Sequence, residues 1–288
     1  MKYRFIRAHA DRFCIRKMCR QLGVSRSGYY SWSCRGESDQ TVANRRLLFA
    51  MRVIHQECRG VYGSPRMCRE LVARGYSCSE NRVARLMRQA GLIARQRRKF
   101  RPRTTDSDHG LAVAPNLLER RFSATEPNRV WVADITYIAI GEGWLYLASV
   151  LDLFSRRVVG WSTGSDLTRH LPLRALHNAL ESRHPDPGLI HHSDRGVQYA
   201  SDDYRTMLAN QGMICSMSRK GNCYDNAVME SFFGTLKTEQ IHHVTYATRR
   251  EAARDLFDYI EVFYNRKRRH SFLDYRTPCE VENECKVT

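Results

Sequence analysis

The sequence predicts an α/β fold, a mixed sheet flanked by helices, preceded by an all-helical region. Two observations carry the prediction. The first hundred residues repeat apolar positions at helical spacing. After residue 127 the chain turns β-branched and aromatic, giving three strand-like runs and then alternating helices and strands. A third observation bears on function. Residues 1–104 hold 25 Lys/Arg against 6 Asp/Glu, net +19, whereas the remainder is net −2, so the basic excess sits in the first third. Segregated positive charge points to a polyanion, because each neutralised phosphate releases condensed counterions. With 288 residues, 42% of them apolar, the chain is long enough for two or three domains with real cores. No apolar run reaches the length of a membrane span, and the N-terminus lacks a signal core, so the expected location is cytoplasmic, at the nucleoid. Ten cysteines occur without a zinc-module spacing, and reduced thiols are expected.

The helical region is justified element by element. Cys14, Ile15, Met18, Cys19 and Leu22 share one helical face, and Gly23 suits a helix stop. Ser25 is placed to cap a second helix opening at Arg26. Helix, short turn, helix is the helix-turn-helix pattern, with Arg26 a candidate DNA contact. A long amphipathic helix with Leu47, Leu48, Met51, Ile54 and Cys58 inward follows. A second helix pair has Pro65 at the start of its first member. In its second member Val83, Leu86 and Met87 form the buried stripe, while Arg82, Arg85 and Arg88 fall three apart on another face and suit a phosphate backbone. Residues 94–126 read as a basic linker in which Arg97, Arg98 and Lys99 are candidate DNA contacts.

In the second half, 129–140 reads as a central strand, 144–154 and 157–163 as its successors, and Gly141-Glu142-Gly143 as a hairpin turn. Helices are expected over 171–180, 202–211 and 225–239, short strands over 188–193 and 213–217, and a last helix over 249–265.

Three acids stand out. Asp134 lies inside the most apolar strand, where an unpaired carboxylate is costly and a cation offsets the cost; pairing with Arg or backbone amides satisfies the same pattern. Asp194 follows a strand end, where α/β sites gather, although Asp-Arg-Gly also suits a plain turn. Glu230 shares a helix edge with Gly234 and Lys237, which leaves room for a phosphate backbone; an ordinary exposed Glu reads the same way. Together the three fit in-line displacement at phosphorus by two Mg²⁺ ions on hard oxygen ligands.

The ordered motifs make the set specific. They are Trp131-x-x-Asp134-Ile135-Thr136-Tyr137, Asp152-x-x-Ser155-Arg156, His192-Ser193-Asp194-x-Gly196-x-Gln198-Tyr199, Asp225-Asn226-Ala227-x-x-Glu230 through Lys237, and Tyr264-Asn265-x-x-Arg268-x-His270. The separation of Asp194 and Glu230 by 35 residues belongs to the same pattern. With these motifs the chain resembles the second-frame transposase of the insertion-sequence-three family, whose core is similar to retroviral integrases. The resemblance covers nearly the whole chain. It implies a ribonuclease-H-like sheet, metal-ligand roles for Asp134, Asp194 and Glu230, two Mg²⁺ or Mn²⁺ ions, and DNA contact by Lys237. Asn265, Arg268 and His270 are expected to contact DNA near the site, and Asp152 to be structural. It further implies terminal inverted repeats and target DNA as partners, a homo-oligomer in the working complex, and an upstream-frame protein or frameshift fusion.

The expected organisation is a helix-turn-helix region (1–60), a second helical DNA-binding element (61–93), the linker (94–126), the catalytic core (127–240), and a C-terminal helix with a basic tail (241–288). The expected function is metal-dependent nicking of 3′ ends and strand transfer. The alternatives are a metal-dependent nuclease that does not join and a DNA-binding regulator without chemistry.

Overall fold

The computed structural model describes residues 1–95, 113–219 and 223–287. Arg97, Arg98 and Lys99 lie outside the described residues. The chain divides into two compact units, Met1–Met51 and Arg52–Thr288.

The first unit holds α1 (Lys2–Ala8), α2 (Ile15–Gln21), α3 (Arg26–Cys34) and most of α4 (Asp39–Glu57). Ile6, Met18, Cys19 and Tyr29 form its small core, with Tyr3 and Trp32 packed against them. Gly23 takes φ +61°, a left-handed conformation that glycine adopts without a Cβ clash, and α2 ends there as expected. Ser25 accepts a hydrogen bond from the Gly28 N–H at 3.0 Å and caps α3. Arg26 is exposed at the first position of α3, its guanidinium 5.6 Å from the Tyr30 ring centre.

In the second unit, α5 (Ser64–Ala73) starts with Pro65 in its first turn, and α6 (Glu80–Gln89) is capped by Ser79. Val83, Leu86 and Met87 are buried, while Arg85 and Arg88 are exposed and Arg82 half-buried. The one-face arrangement expected for α6 is therefore observed.

Five strands follow the helices: β1 (Val130–Ile140), β2 (Gly143–Asp152), β3 (Val158–Gly164), β4 (Ile190–Ser193) and β5 (Ile214–Met217). Their order is β3-β2-β1-β4-β5. The first three are antiparallel neighbours, and β4 and β5 run parallel to β1, so the sheet is mixed and β1 is central. Ile140 pairs with Gly143 across the hairpin, whose Gly143 has φ +104°.

Alternation along the strands divides the apolar residues between two faces. Trp131, Ala133, Ala148 and Val150 face α7 (His170–Arg183), α8 (Val197–Ala200) and α9 (Asp202–Asn210). Gly160 of β3 allows α7 to lie close, since a Cβ there would stand 2.3 Å from the Ala175 carbonyl oxygen. The other face, carrying Val132, Asp134 and Ile138, receives α10 (Ala227–Glu239), whose Met229, Phe232, Phe233 and Leu236 are buried.

Two expectations at the C-terminal end need correction. The helix expected over 249–265 is α-helical only in α11 (Arg249–Phe257) and continues as a π-helical stretch, Asp258–Tyr264. The inward residues Ala252, Leu256, Tyr259, Ile260 and Phe263 are nevertheless buried as expected. It is also not the last helix, because α12 (Pro278–Val287) follows. Thr277 and Glu280 start α12 with a reciprocal capping box: the Glu280 N–H donates to Thr277 Oγ1 at 3.1 Å, and the Thr277 N–H to Glu280 Oε2 at 2.7 Å. No helix among the described residues is long and apolar enough to cross a membrane.

Candidate active site

Asp134 and Asp194 meet because of the strand register. In the parallel pair β1·β4, Ala133 stands opposite Ser193, and each aspartate is the next residue along its chain. Asp194 therefore stands just past the end of β4, level with Asp134 inside β1, and the two carboxylates come from neighbouring strands where β4 stops. Each is steadied locally: Ile135 N–H donates to Asp134 Oδ1 at 2.7 Å, and Gly196 N–H to Asp194 Oδ1 at 2.9 Å. A Cβ on Gly196 would come 3.0 Å from that same Asp194 oxygen, so glycine suits the close approach.

Glu230 and Lys237 reach the site from α10. Glu230 lies in the first turn and is exposed; Lys237, two turns on, is half-buried with Nζ 5.1 Å from the Tyr137 ring centre. The start of α10 is fastened to the sheet by Asn226, whose side-chain N–H donates to the Ala133 carbonyl at 3.3 Å. Just before it, the buried Asp225 accepts from Arg219 Nε and from the Arg219 backbone N–H at 3.0 Å, from Asn116 at 2.9 Å and from Arg120 at 3.3 Å. The Arg219 hydrogen bonds outweigh burial and hold the Asp225 carboxyl well below the usual carboxylate range.

The electrostatics centre on Asp134. Burial pushes its carboxyl well above the usual range, and the negative charges of Asp194 and Glu230 add to that; the Ile135 N–H and the Lys237 charge act the other way. Burial lowers the Lys237 pKa, and Asp134 opposes that shift. Three carboxylates and one ammonium thus influence one another where β4 stops beside the middle of β1. Among the described residues, no three His, Cys, Asp or Glu side chains already stand grouped as metal ligands. The donor set nevertheless suits a hard cation, because it offers only carboxylate oxygens and concentrates negative charge that a divalent ion would neutralise. Near it lies Tyr199, buried, with a hydroxyl that has no hydrogen-bond partner.

Three residues expected to contact DNA are instead buried. The Asn265 side chain completes the edge of β3, accepting from Val158 N–H at 3.0 Å and donating to the Val158 carbonyl at 3.0 Å. Arg268 is 4% exposed and makes a two-point ion pair with Glu239, 2.7 Å at each contact. Burial opposes its charge, and Glu239 outweighs burial and keeps it protonated. His270 is buried against the Tyr264 ring at 4.6 Å and near the Tyr264 carbonyl. A basic run near the end of a chain reads as surface, yet here the partner that buries Arg268 lies 29 residues earlier. Asp152, expected to be structural, is buried and accepts from the Asn128, Phe154 and Ser155 backbone N–H groups.

Sequence reasoning assigned no role to Asp225, Arg219 or Glu239. For Asp225 the signal was at hand, since an Asp-Asn pair immediately before a helix suits a capping and anchoring role. For Glu239 no local spacing indicates its partner.

Comparison with known proteins adds the following. Residues 43–100 match the HTH-like domain family, and residues 124–223 and 230–285 match two integrase core domain families. The insertion element IS600 uncharacterized 31 kDa protein of Shigella sonnei is 49% identical over 261 residues, covering 91% of this chain and 96% of that protein. Transposase InsF for insertion sequence IS3A of Escherichia coli (strain K12) is 43% identical over 295 residues, covering 99% of each. Among solved structures, the HTLV-2 integrase catalytic core domain in complex with magnesium aligns at 15% identity and TM-score 0.44, over 55% of this chain and 99% of that one.

Proposed function

The chain belongs to the insertion-sequence transposase family of InsF from IS3, and from that premise we propose that it nicks the 3′ ends of its own element and transfers them to other DNA strands at the site of Asp134, Asp194 and Glu230. The observation that carries this reading is the meeting of Asp134, inside β1, with Asp194, just past the end of the parallel neighbour β4, with Glu230 and Lys237 of α10 within electrostatic reach.

Asp134, Asp194 and Glu230 would hold two Mg²⁺ or Mn²⁺ ions. Such ions supply Lewis acidity, which makes water nucleophilic near neutral pH and neutralises charge gathering on phosphate oxygens. The chain's own residues do the remaining work. Asp134 and Asp194 are set by the sheet, so their spacing is fixed before substrate arrives. Glu230 is carried on a helix whose start is fastened to β1 by Asn226, so it approaches the pair from an element other than the sheet. Lys237, on the same helix edge, offers its ammonium to a neighbouring phosphate, and its contact with Tyr137 limits its wandering. In the first step water attacks phosphorus and the 3′ oxygen leaves as a hydroxyl. In the second, that hydroxyl attacks another phosphodiester, one P–O bond forming as one breaks. No side-chain nucleophile is required.

The DNA would be gripped by Arg26 on α3 and by Arg82, Arg85 and Arg88 on α6, with target and terminal repeats held in a homo-oligomer. A protein from the upstream frame, alone or fused by frameshifting, would add to that grip.

The test is a strand-transfer assay. Labelled duplexes from both element ends are incubated with Mg²⁺ and either the wild-type chain or Glu230→Gln. Joined products from wild type alone are expected. Nicks without joining would mean a nuclease, and unaltered activity in Glu230→Gln would remove the site from the chemistry.

A further inference from the structure

Glu239 ends the helix that carries Glu230 in its first turn, nine residues and about 13 Å further along at the α-helical rise. Its buried carboxylate is shared. Arg268 takes both oxygens at 2.7 Å, the Tyr259 hydroxyl donates to Oε2 at 2.9 Å, and Arg66 of α5 stands 3.6 Å from Oε1. The Glu239 backbone carbonyl accepts from Arg95, just beyond α6. At the next residue, Gln240 Oε1 accepts from Arg59 at 2.9 Å. Beside this point the Tyr62 hydroxyl donates to the Lys267 carbonyl at 3.0 Å and accepts from the Arg269 N–H at 2.8 Å, and Arg269 pairs with Glu70 of α5 at 2.5 Å. Arg59, Tyr62, Arg66, Glu70 and Arg95 therefore all seat the α5–α6 element, either against the end of α10 or against residues 267–269, which flank Arg268.

Such a junction is an expensive way to gain stability. A buried ion pair seldom outperforms an apolar one, and a second cation on the same carboxylate adds desolvation without a second anion. What a two-point Arg–carboxylate contact supplies is fixed geometry. We propose that Glu239 is a positioning residue: with Arg66 and Arg95 it locks the helix carrying Glu230 to the α5–α6 element, so that DNA gripped by α6 and the bond to be cut share one rigid frame. The junction then sets which phosphodiester is nicked, by fixing the distance from bound DNA to active site. This rests on the transposase reading above.

The test compares the full wild-type chain with Arg66→Met and Glu239→Gln. Arg66→Met leaves the Glu239–Arg268 and Arg269–Glu70 pairs intact and removes only the direct side-chain link from Glu239 to α5. On a labelled element-end duplex with Mg²⁺, wild type is expected to nick one bond. Arg66→Met is expected to scatter nicks over neighbouring bonds while its affinity for the duplex stays within about threefold. Glu239→Gln should scatter them further, and Arg66→Met decides the matter if Glu239→Gln does not fold. A single, wild-type nick position in Arg66→Met overturns the proposal, whereas a merely structural role would lower yield without moving the position. Should neither wild type nor its fusion with the upstream-frame protein nick, the nicking and strand-transfer reading fails, and hydrogen exchange of the free proteins still decides the junction. Exchange at residues 227–239 rising tenfold in Arg66→Met, with the β1–β2 hairpin unchanged, supports the lock, and unchanged exchange there overturns it.

Discussion

The side chain of Asn226 donates to the carbonyl of Ala133, one residue before Asp134, and so ties the start of the helix bearing Glu230 to the strand bearing Asp134. The two acids come from elements far apart in sequence, and this bond joins those elements directly. Asn226 Oδ1, by contrast, is buried without a partner. Unsatisfied buried polar atoms are uncommon in native proteins and gather where function asks for them.

Asn226→Ala should therefore affect activity more than stability. Losing one buried hydrogen bond costs about 1 kcal/mol, a small fraction of a large unit's stability. Strand transfer should fall tenfold or more, since Glu230 would lose its fixed approach. Urea unfolding and strand transfer measured on the same preparation separate the two. A loss of activity no larger than the loss of folded protein would refute a positioning role.

Arg268→Met tests the placement of that residue inside the protein. Breaking a buried pair leaves Glu239 with only Arg66, at 3.6 Å, and the Tyr259 hydroxyl. The expected loss is about 3 kcal/mol, seen as a melting temperature lower by roughly 6–12 °C. The salt dependence of DNA binding should stay as in wild type. A normal melting temperature with a shallower salt slope would return Arg268 to the DNA surface.

Much of this was legible in the sequence because it is local. The cap at Ser25, the stop at Gly23, the two faces of α6 and the hairpin turn, read over 141–143 and found at 141–142, all follow from neighbours within a few positions. Asp134 announced itself by standing in an apolar strand. The Thr277/Glu280 capping box before α12 was equally local, and patterning of apolar residues overlooked it because α12 buries little beyond Val281 and Glu282. What could not be read are the long-range polar contacts. Arg268 and Asn265 look like surface residues until Glu239 and Val158 are known to lie against them, and no periodicity encodes a pairing across 29 or 107 positions. The same holds for Arg66, which reads as one more basic residue of a DNA-binding helix.

His191 makes the fold acid-sensitive. It is buried in β4 with Nε2 3.0 Å from the Tyr204 hydroxyl, and burial together with His192 lowers its pKa to about 3. The folded value lies below the unfolded value of about 6.5. Its contribution to stability is thus complete above pH 6.5 and is lost as pH falls towards 3. Between pH 7 and pH 5 one such group removes about 2 kcal/mol, at about 1.4 kcal/mol per pH unit. His191→Gln can still hydrogen-bond to Tyr204 but cannot titrate, so urea unfolding at the two pH values should show a difference smaller by that amount. An unchanged difference would mean that His191 takes up no proton on unfolding.

The arginines of α6 are the remaining link between fold and DNA. Arg85 and Arg88 are exposed on the face opposite Val83, Leu86 and Met87, so substituting them leaves the packed stripe untouched. If each neutralises a phosphate, Arg85→Ala should weaken binding to element ends and to unrelated duplexes by the same factor. It should also make the slope of log affinity against log salt shallower by about 0.9, and the Arg85/Arg88 double alanine variant by about 1.8. Titrations at several salt concentrations on both duplexes measure slope and specificity together. A loss confined to the element end would show that Arg85 reads base edges, because phosphate contacts carry no sequence information. An unchanged slope on both duplexes would turn the α6 face away from DNA. Grip would then fall to α3, and the lock at Glu239 would serve only to brace the catalytic helix.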